Sequence, residues 1–242
     1  MFEKLFSRKS VAVQRSVGSD PPISLPPDVR ELQSRCDELN SSEQQIHINT
    51  AAECISYTEA LRSIGVGRRL GLIALDNAND SNPYCLITLG VAAGMVVHFF
   101  HDDEPMVEFD GLPAFERFLL DLRAGAAKRW WETERDVPVH PRQAELAAAI
   151  EDVHSSEDED IERCTVMYMA MLGGEHRRLL QALSIHSSMY VREAVAETIA
   201  RGRVTGVADL LPALAQDSEF QVRAAARRAL GLPREAHERR PA

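Results

Sequence analysis

A block of sequence at 179–200 recurs at 210–231, a shift of 31 positions without a gap. Both copies place apolar residues at helical spacing. Repeats of about 20–50 residues are typical of chains in which one helical pair stacks on the next, because a single pair cannot bury its apolar face alone. The repeat therefore predicts a stack of helical pairs. Its identical positions are Leu179/Leu210, Leu180/Leu211, Ala182/Ala213, Leu183/Leu214, Ser187/Ser218, Val191/Val222, Arg192/Arg223 and Ala194/Ala225.

Helical spacing continues through the whole of 142–233, and strand patterns are absent from it. We expect an all-α domain over 142–233, followed by a tail at 234–242. An earlier copy of the repeat at 142–173 is left open, because only Ile161 falls near the valine position and the register is poor. The acidic loop 155–160 separates the first two of six predicted helices. These helices are predicted at 145–153, 161–172, 176–185, 191–200, 207–215 and 222–230.

The second helix of the last copy carries its own start signals. Ser218 is placed to cap the helix, with Gln221 as its capping-box partner. Asp217 adds negative charge at the positive end of the helix. Small apolar residues from Val222 onward form a face that lets neighbouring helices approach closely.

Residues 217–231, DSEFQVRAAARRALG, resemble the second helix of short HEAT-like repeats, whose form is D-x-x-x-x-V-R-x-A-A-x-x-A-L-G. The resemblance covers both copies and departs at His186, where the family expects aspartate. It implies an array that binds proteins or peptides and is rarely catalytic. The helical face around Arg192 and Arg223 is therefore a candidate partner-binding surface. An unrelated helical bundle is the alternative.

The beginning of the chain has a different pattern. We expect a flexible leader at 1–27, because prolines crowd its end and exclude helix. Helical spacing begins at Asp28, and Thr50 is placed to cap a second helix.

Three short apolar segments follow, at 70–75, 84–89 and 95–100. Turn-forming residues separate them, which is typical of an antiparallel meander. A last strand at 106–109 and a helix from Leu112 complete the pattern. We predict an α+β domain over 28–125, joined to the helical domain by a polar linker at 126–141.

The segments 75–84 and 90–105, then Phe109 and the helix from Leu112, are similar to one branch of the SUKH superfamily. Prolines before the first helix also match. The resemblance implies a SUKH-like domain with an antiparallel sheet. In bacteria it implies an immunity protein that neutralises a polymorphic toxin by binding it. Eukaryotic relatives act as scaffolds in signalling and cell-wall regulation.

Charge and composition narrow the classes of partner. The chain has 242 residues and a formal charge of −10, which argues against a protein that coats nucleic acid. The charge divides unevenly, with 16 basic and 29 acidic side chains in 1–173 against 11 and 8 in 174–242. No apolar run reaches the eighteen or so residues that a membrane span requires. We expect a cytoplasmic protein without nucleic-acid or membrane partners, and its four scattered cysteines are expected to be reduced and mostly buried.

Recognisable catalytic motifs are missing. The sequence lacks G-x-S-x-G, a P-loop, G-x-G-x-x-G and H-E-x-x-H. His98, His101 and Asp102 are of the types that bind metals, and Asp103, Asp76 and Asp80 lie near them in sequence. His98 and His101 stand three apart at a strand end and point to opposite faces unless the chain turns between them. We expect no cofactor, no metal and no enzymatic activity; whether these residues bind anything is left open.

The function that these observations favour is non-enzymatic protein binding. The first hypothesis is a bacterial immunity protein with a cognate toxin as partner. The alternative is a regulatory scaffold that joins two host proteins, and a metal-dependent hydrolase is the third class. Acidic loops would steer a basic partner, although such loops are often only solvated. The acidic candidates are Asp102, Asp103, Glu104, Glu157, Asp158, Glu159 and Asp160.

Overall fold

A computed structural model of the chain describes residues 23–40, 46–76, 82–100, 104–127, 136–155 and 158–233. Helices and a small antiparallel sheet fill the first half. Their bounds are α1 Pro27–Ser34, α2 Cys36–Leu39, α3 Ala51–Arg62, α4 Gly65–Leu70, β1 Ile73–Ala74, β2 Tyr84–Leu86, β3 Val96–His98, β4 Met106–Phe109 and α5 Leu112–Arg123.

The second half is helical in the residues that the structure describes. It contains α6 Gln143–Glu151, α7 Glu159–Met169, α8 Arg177–Leu183, α9 Met189–Ala200, α10 Leu211–Leu214 and α11 Phe220–Ala229. Two 3-10 turns, Asp152–Ser155 and Ala208–Leu210, follow α6 and precede α10. The six helices predicted from the sequence are confirmed, with ends that shift by a few residues.

The sheet is the predicted meander. Its strands lie in the order β1-β2-β3-β4, and each pairs antiparallel with the next in sequence. Ile73 pairs with Leu86, and Tyr84 pairs with His98. The register of β3 with β4 shifts between Val96 and Val97, where Glu108 of β4 is skipped. The fold is therefore mixed α and β with an antiparallel sheet, as expected.

Helices cover both faces of this sheet. Ile73, Leu86 and Phe109 belong to a core that they share with α1, α2 and α5. Ala74, Cys85 and other alternate strand residues point the opposite way, into a second core. Since side chains alternate along a strand, a sheet covered on both faces needs apolar residues at nearly every position, which explains the uninterrupted apolar strands.

The second core crosses the boundary between the two predicted domains. It contains Leu70 and Val97 from the first half together with Leu146, Met167 and Val195 from the helical half. The helical array thus packs against the sheet through shared apolar side chains.

The described part of the predicted linker is itself packed. Val137 and His140 are buried. His140 Nε2 lies 3.1 Å from the carbonyl oxygen of Val91, and the His140 amide donates to Met171. The polar side chain and amide of His140 thus form hydrogen bonds to residues of both halves.

Two of the predicted helix starts can be compared directly. Thr50 caps α3 in a capping box with Glu53, and the Thr50 prediction is confirmed. The Ser218 prediction is wrong: α11 begins at Phe220 after Glu219, and no side chain caps it by a hydrogen bond. Asp217 instead bonds to the backbone just before this helix, because its carboxylate accepts from the Glu219 amide at 2.8 Å.

The four cysteines are free thiols, and Cys54, Cys85 and Cys164 are buried, as expected. Burial raises the pKa of the Cys164 thiol to about 12, so this group stays protonated at neutral pH. Among the helices that the structure describes, none has the length and apolarity needed to cross a membrane.

Candidate functional site

The repeated arginines form the same contacts in both copies. Arg192 donates through Nη1 to the carbonyl oxygens of His186 and Ser187, at 2.8 and 2.9 Å. Arg223 donates through Nη1 to the carbonyl oxygens of Asp217 and Ser218, both at 2.8 Å. The acceptors are shifted by the same 31 positions as the arginines. Each arginine therefore fixes the turn that precedes its own helix.

The same turns contain a second repeated bond. Asp217 accepts from the amide two residues later, and His186 does likewise, with its Nδ1 accepting from the Ser188 amide at 3.1 Å. Burial lowers the pKa of His186, and the neighbouring His154 adds to the effect, so the ring is neutral and its Nδ1 can accept. His186, where the HEAT-like pattern has aspartate, thus still accepts the hydrogen bond that Asp217 accepts in the other copy.

An ion pair joins the two copies. The guanidinium of Arg192 contacts both carboxylate oxygens of Asp217, at 2.7 and 2.9 Å, and each side chain is only 12% exposed. The bonds to Arg192 hold the pKa of the Asp217 carboxyl below its ordinary range. This forked geometry locks the turn before α11 against the helix of the preceding copy.

The helical pair α6–α7 occupies the next place in the stack, because α7 packs against α9 as α9 packs against α11. It lacks the repeated arginine. When Ile161 is aligned with Val191, the residue in the place of Arg192 is Glu162. An earlier copy at 142–173 stays a prediction.

A groove of about 550 Å³ lies between the two bonded turns. Residues 184–187 line one side and 217–219 the other, together with Ala213 and Leu214. Arg192 and Asp217 also line it, so their ion pair is part of its wall.

Large apolar side chains are exposed at and beside this groove. Ile185, which lines it, is 83% exposed, and Tyr190 in the first turn of α9 is 50% exposed. Phe220, next to the lining residue Glu219, is 37% exposed and has the guanidinium of Arg223 5.9 Å from its ring centre. Arg223 therefore touches an apolar side chain of the site as well as its own turn. Sequence reasoning selected Arg192 and Arg223 but missed Ile185, Tyr190 and Phe220, because helical periodicity does not show which apolar positions stay uncovered.

The acidic candidates lie partly in contacts within the chain. Glu104 is paired with Arg163 at 3.4 Å, and Asp158 with Arg69 at 3.0 Å. Both pairs link the first half of the chain to α7 or the turn before it. Asp102, Asp103 and Glu157 lie outside the described residues.

Asp160 packs against α4. A Cβ atom on Gly65 would lie 1.5 Å from its Oδ2, so the carboxylate occupies the space that a larger residue would need. Glu159 is exposed at the start of α7. The structure thus brings Glu104, Asp158 and Asp160 to the contact between the two halves rather than to one open surface.

The strand-end histidine is part of a buried polar cluster. His98 lies 3.0 Å from the Glu108 carboxylate through Nδ1 and 2.9 Å from the Asn82 carbonyl oxygen through Nε2. Tyr84 donates to the second Glu108 oxygen at 3.2 Å and stacks on the His98 ring, 4.4 Å between centroids. The side chains of His98 and Glu108 are each 1% exposed, so the cluster is closed to substrates. His101 lies outside the described residues, and no group of three or more metal-binding side chains occurs within them.

The Arg192–Asp217 pair gives a pH-dependent prediction. Because the pKa of Asp217 is lowered in the folded state, its contribution to stability is complete above about pH 5 and is lost as the pH falls through and below the ordinary pKa of aspartate, about 4. Asp217→Asn should lower the free energy of unfolding by about 1–2 kcal/mol at neutral pH. In urea titrations at several pH values, the gap between Asp217→Asn and wild type should stay constant down to about pH 5 and close below about pH 4.

The control for this prediction is Asp209→Asn, which breaks the exposed ion pair with Arg177. Exposed pairs contribute little to stability, so its gap should be smaller throughout. Equal stability of Asp217→Asn and wild type at neutral pH would show that the inter-repeat pair does not hold the turn.

Comparison with known proteins found no match to this chain among family models, curated proteins or solved structures.

Proposed function

We propose that this chain is a non-enzymatic protein-binding module, and that it binds its partner at the groove between the turns 184–188 and 215–219. The supporting observation is the exposure of Ile185 in the groove, together with exposed Tyr190 and Phe220 in the first turns of the two helices that follow the groove turns. Grouped exposed apolar side chains mark interaction sites on protein surfaces, and aromatic residues contribute strongly to such sites. Walls already fixed by Arg192 and Arg223 reduce the ordering that binding costs.

The resemblances extend this proposal to a particular kind of binding. In it, the first half is a SUKH-like domain and the second a HEAT-like array, and the protein is a bacterial immunity protein that neutralises a cognate toxin by occluding it. The excess of acidic side chains supports a basic partner, since charge complementarity accelerates association. A regulatory scaffold that joins two host proteins is the alternative, with the groove holding one of them.

The first test uses capture from extracts of the native host. The double variant Ile185→Asp, Phe220→Ser should lose a protein that wild type retains, with affinity reduced about tenfold or more, because central apolar contacts dominate interface energy. Both positions are exposed, so the fold should be unchanged. Leu89→Ser is the matched control: Leu89 is 52% exposed and lies outside the groove. A partner retained equally by the double variant and by the control would refute the groove as the binding site.

A second test distinguishes a toxin-neutralising function from a scaffolding function. If the captured partner is toxic when expressed alone, co-expression of wild type should restore growth and co-expression of the double variant should not. A harmless partner that still requires the groove would support the scaffold and contradict the immunity role.

A further inference from the structure

The groove lies on one edge of the helical array, where each first helix of a pair turns into the second. The turn after α6 reaches the turn before α9, since the rings of His154 and His186 lie 5.6 Å apart. The start of α9 reaches the turn before α11 through Arg192 and Asp217. We define the junction edge as residues 151–155, 158–162, 184–192 and 216–223.

The junction edge is strongly acidic. Its described residues include eight carboxylates and two arginines. Asp217 is paired with Arg192, Asp158 is paired with Arg69, and Asp160 packs against α4. Five carboxylates remain outside these contacts: Glu151, Asp152, Glu159, Glu162 and Glu219. Both arginines bond to their own turns. The opposite junctions, at 170–178, 200–209 and 227–233, hold six arginines and two carboxylates. The array therefore has an acidic edge that contains the groove and a basic edge that does not.

The acidic charge lies partly in the groove, at Glu219, and partly in the first turn of α7, at Glu159 and Glu162. The first turns of α9 and α11, which flank the groove, contain no acidic residue. Neighbouring packed helices lie about 8–10 Å apart, so the start of α7 is roughly 10–15 Å from the groove. About three to five residues of extended chain span this distance.

We propose that the segment bound in the groove is basic, with a large apolar side chain against Ile185 and Phe220 and Lys or Arg residues three to five positions away. This inference rests on the proposed function. The apolar side chain covers the exposed residues of the groove, and the basic residues face Glu159 and Glu162 of α7. Association should slow as salt rises to physiological strength, where charges beyond about 8 Å are screened.

The test measures peptide binding to the intact protein by fluorescence anisotropy. Three short synthetic probes are compared: one of Lys and Leu, one of Glu and Leu, and one in which Gly replaces the Leu of the first. Only the Lys/Leu peptide should bind tightly. Ile185→Asp should weaken it about tenfold or more, as expected for loss of a central apolar contact.

Charge is tested with the triple variant Glu151→Gln, Glu159→Gln, Glu219→Gln. All three side chains are exposed, so the fold should not change. The triple variant should weaken Lys/Leu binding about tenfold and flatten its salt dependence. Glu175→Gln, exposed on the basic edge, is the matched control and should bind like wild type.

The outcomes distinguish this inference from the proposed function. If the triple variant binds Lys/Leu as wild type does, or if Glu/Leu binds equally well, the partner segment is not basic. In that case the groove remains the proposed binding site only if Ile185→Asp still weakens peptide binding. If Ile185→Asp has no effect, both the proposed function and this inference fail. Analytical sedimentation of the protein alone tests whether a second copy of the chain occupies the groove. A dimer that becomes a monomer in the triple variant would show that the basic edge of a second copy fills the site.

Discussion

Replacing Val222 by aspartate should lower the free energy of unfolding by about 2–5 kcal/mol, because the new carboxylate would be buried without a partner. Val222 is fully buried in α11, as is its equivalent Val191 in α9. The measurement is urea denaturation followed by circular dichroism.

The neighbouring residue supplies the control for this experiment. Gln221 is exposed, and Gln221→Asp adds the same charge to the same helix turn without burying it. It should change stability by less than about 0.5 kcal/mol. Similar denaturation midpoints for Val222→Asp and wild type would show that the repeat does not stack through its valine positions.

The second large effect is expected in the sheet. Glu108→Leu should cost about 3–5 kcal/mol, because it removes one member of a buried pair and takes the carboxylate from both His98 and Tyr84. Glu108→Gln retains an oxygen acceptor of the same size and should cost less. Urea denaturation of both variants at neutral pH gives the comparison, and a Leu variant as stable as the Gln variant would mean that the cluster does not hold the strands together.

Repeat periodicity was the strongest guide to the fold. Identical residues at a fixed shift fall at equivalent places in the stacked helices, and even the backbone acceptors of Arg192 and Arg223 follow the same shift. The meander was predictable for a related reason, since turn residues between short apolar segments leave few other topologies.

Helix α4 shows where local pattern fails. Its sequence, Gly-Val-Gly-Arg-Arg-Leu, has low helix propensity. From sequence alone, Gly65 indicates the end of the preceding helix and not the start of a new one. Burial of Val66 and Leu70 stabilises the helix instead. Gly67 is needed there because a Cβ would lie 2.2 Å from the Leu61 carbonyl oxygen. Such a helix depends on contacts that no local window contains.

The groove could not be located from sequence for the same reason. It exists because Arg192 pairs with Asp217, 25 positions later, and because the turn of one copy meets the turn of the next. The acidic candidates have the same limit. A run of acidic residues is visible in the sequence, but the pairing of Asp158 with Arg69 is visible only in the structure.

Hydrogen–deuterium exchange of the protein with and without its captured partner tests the binding site most directly. Binding at the groove predicts slower amide exchange at 184–190 and 216–220, with little change in α1 and α5 on the far face of the sheet. Protection confined to α1 and α5, with the two turns unchanged, would contradict the account.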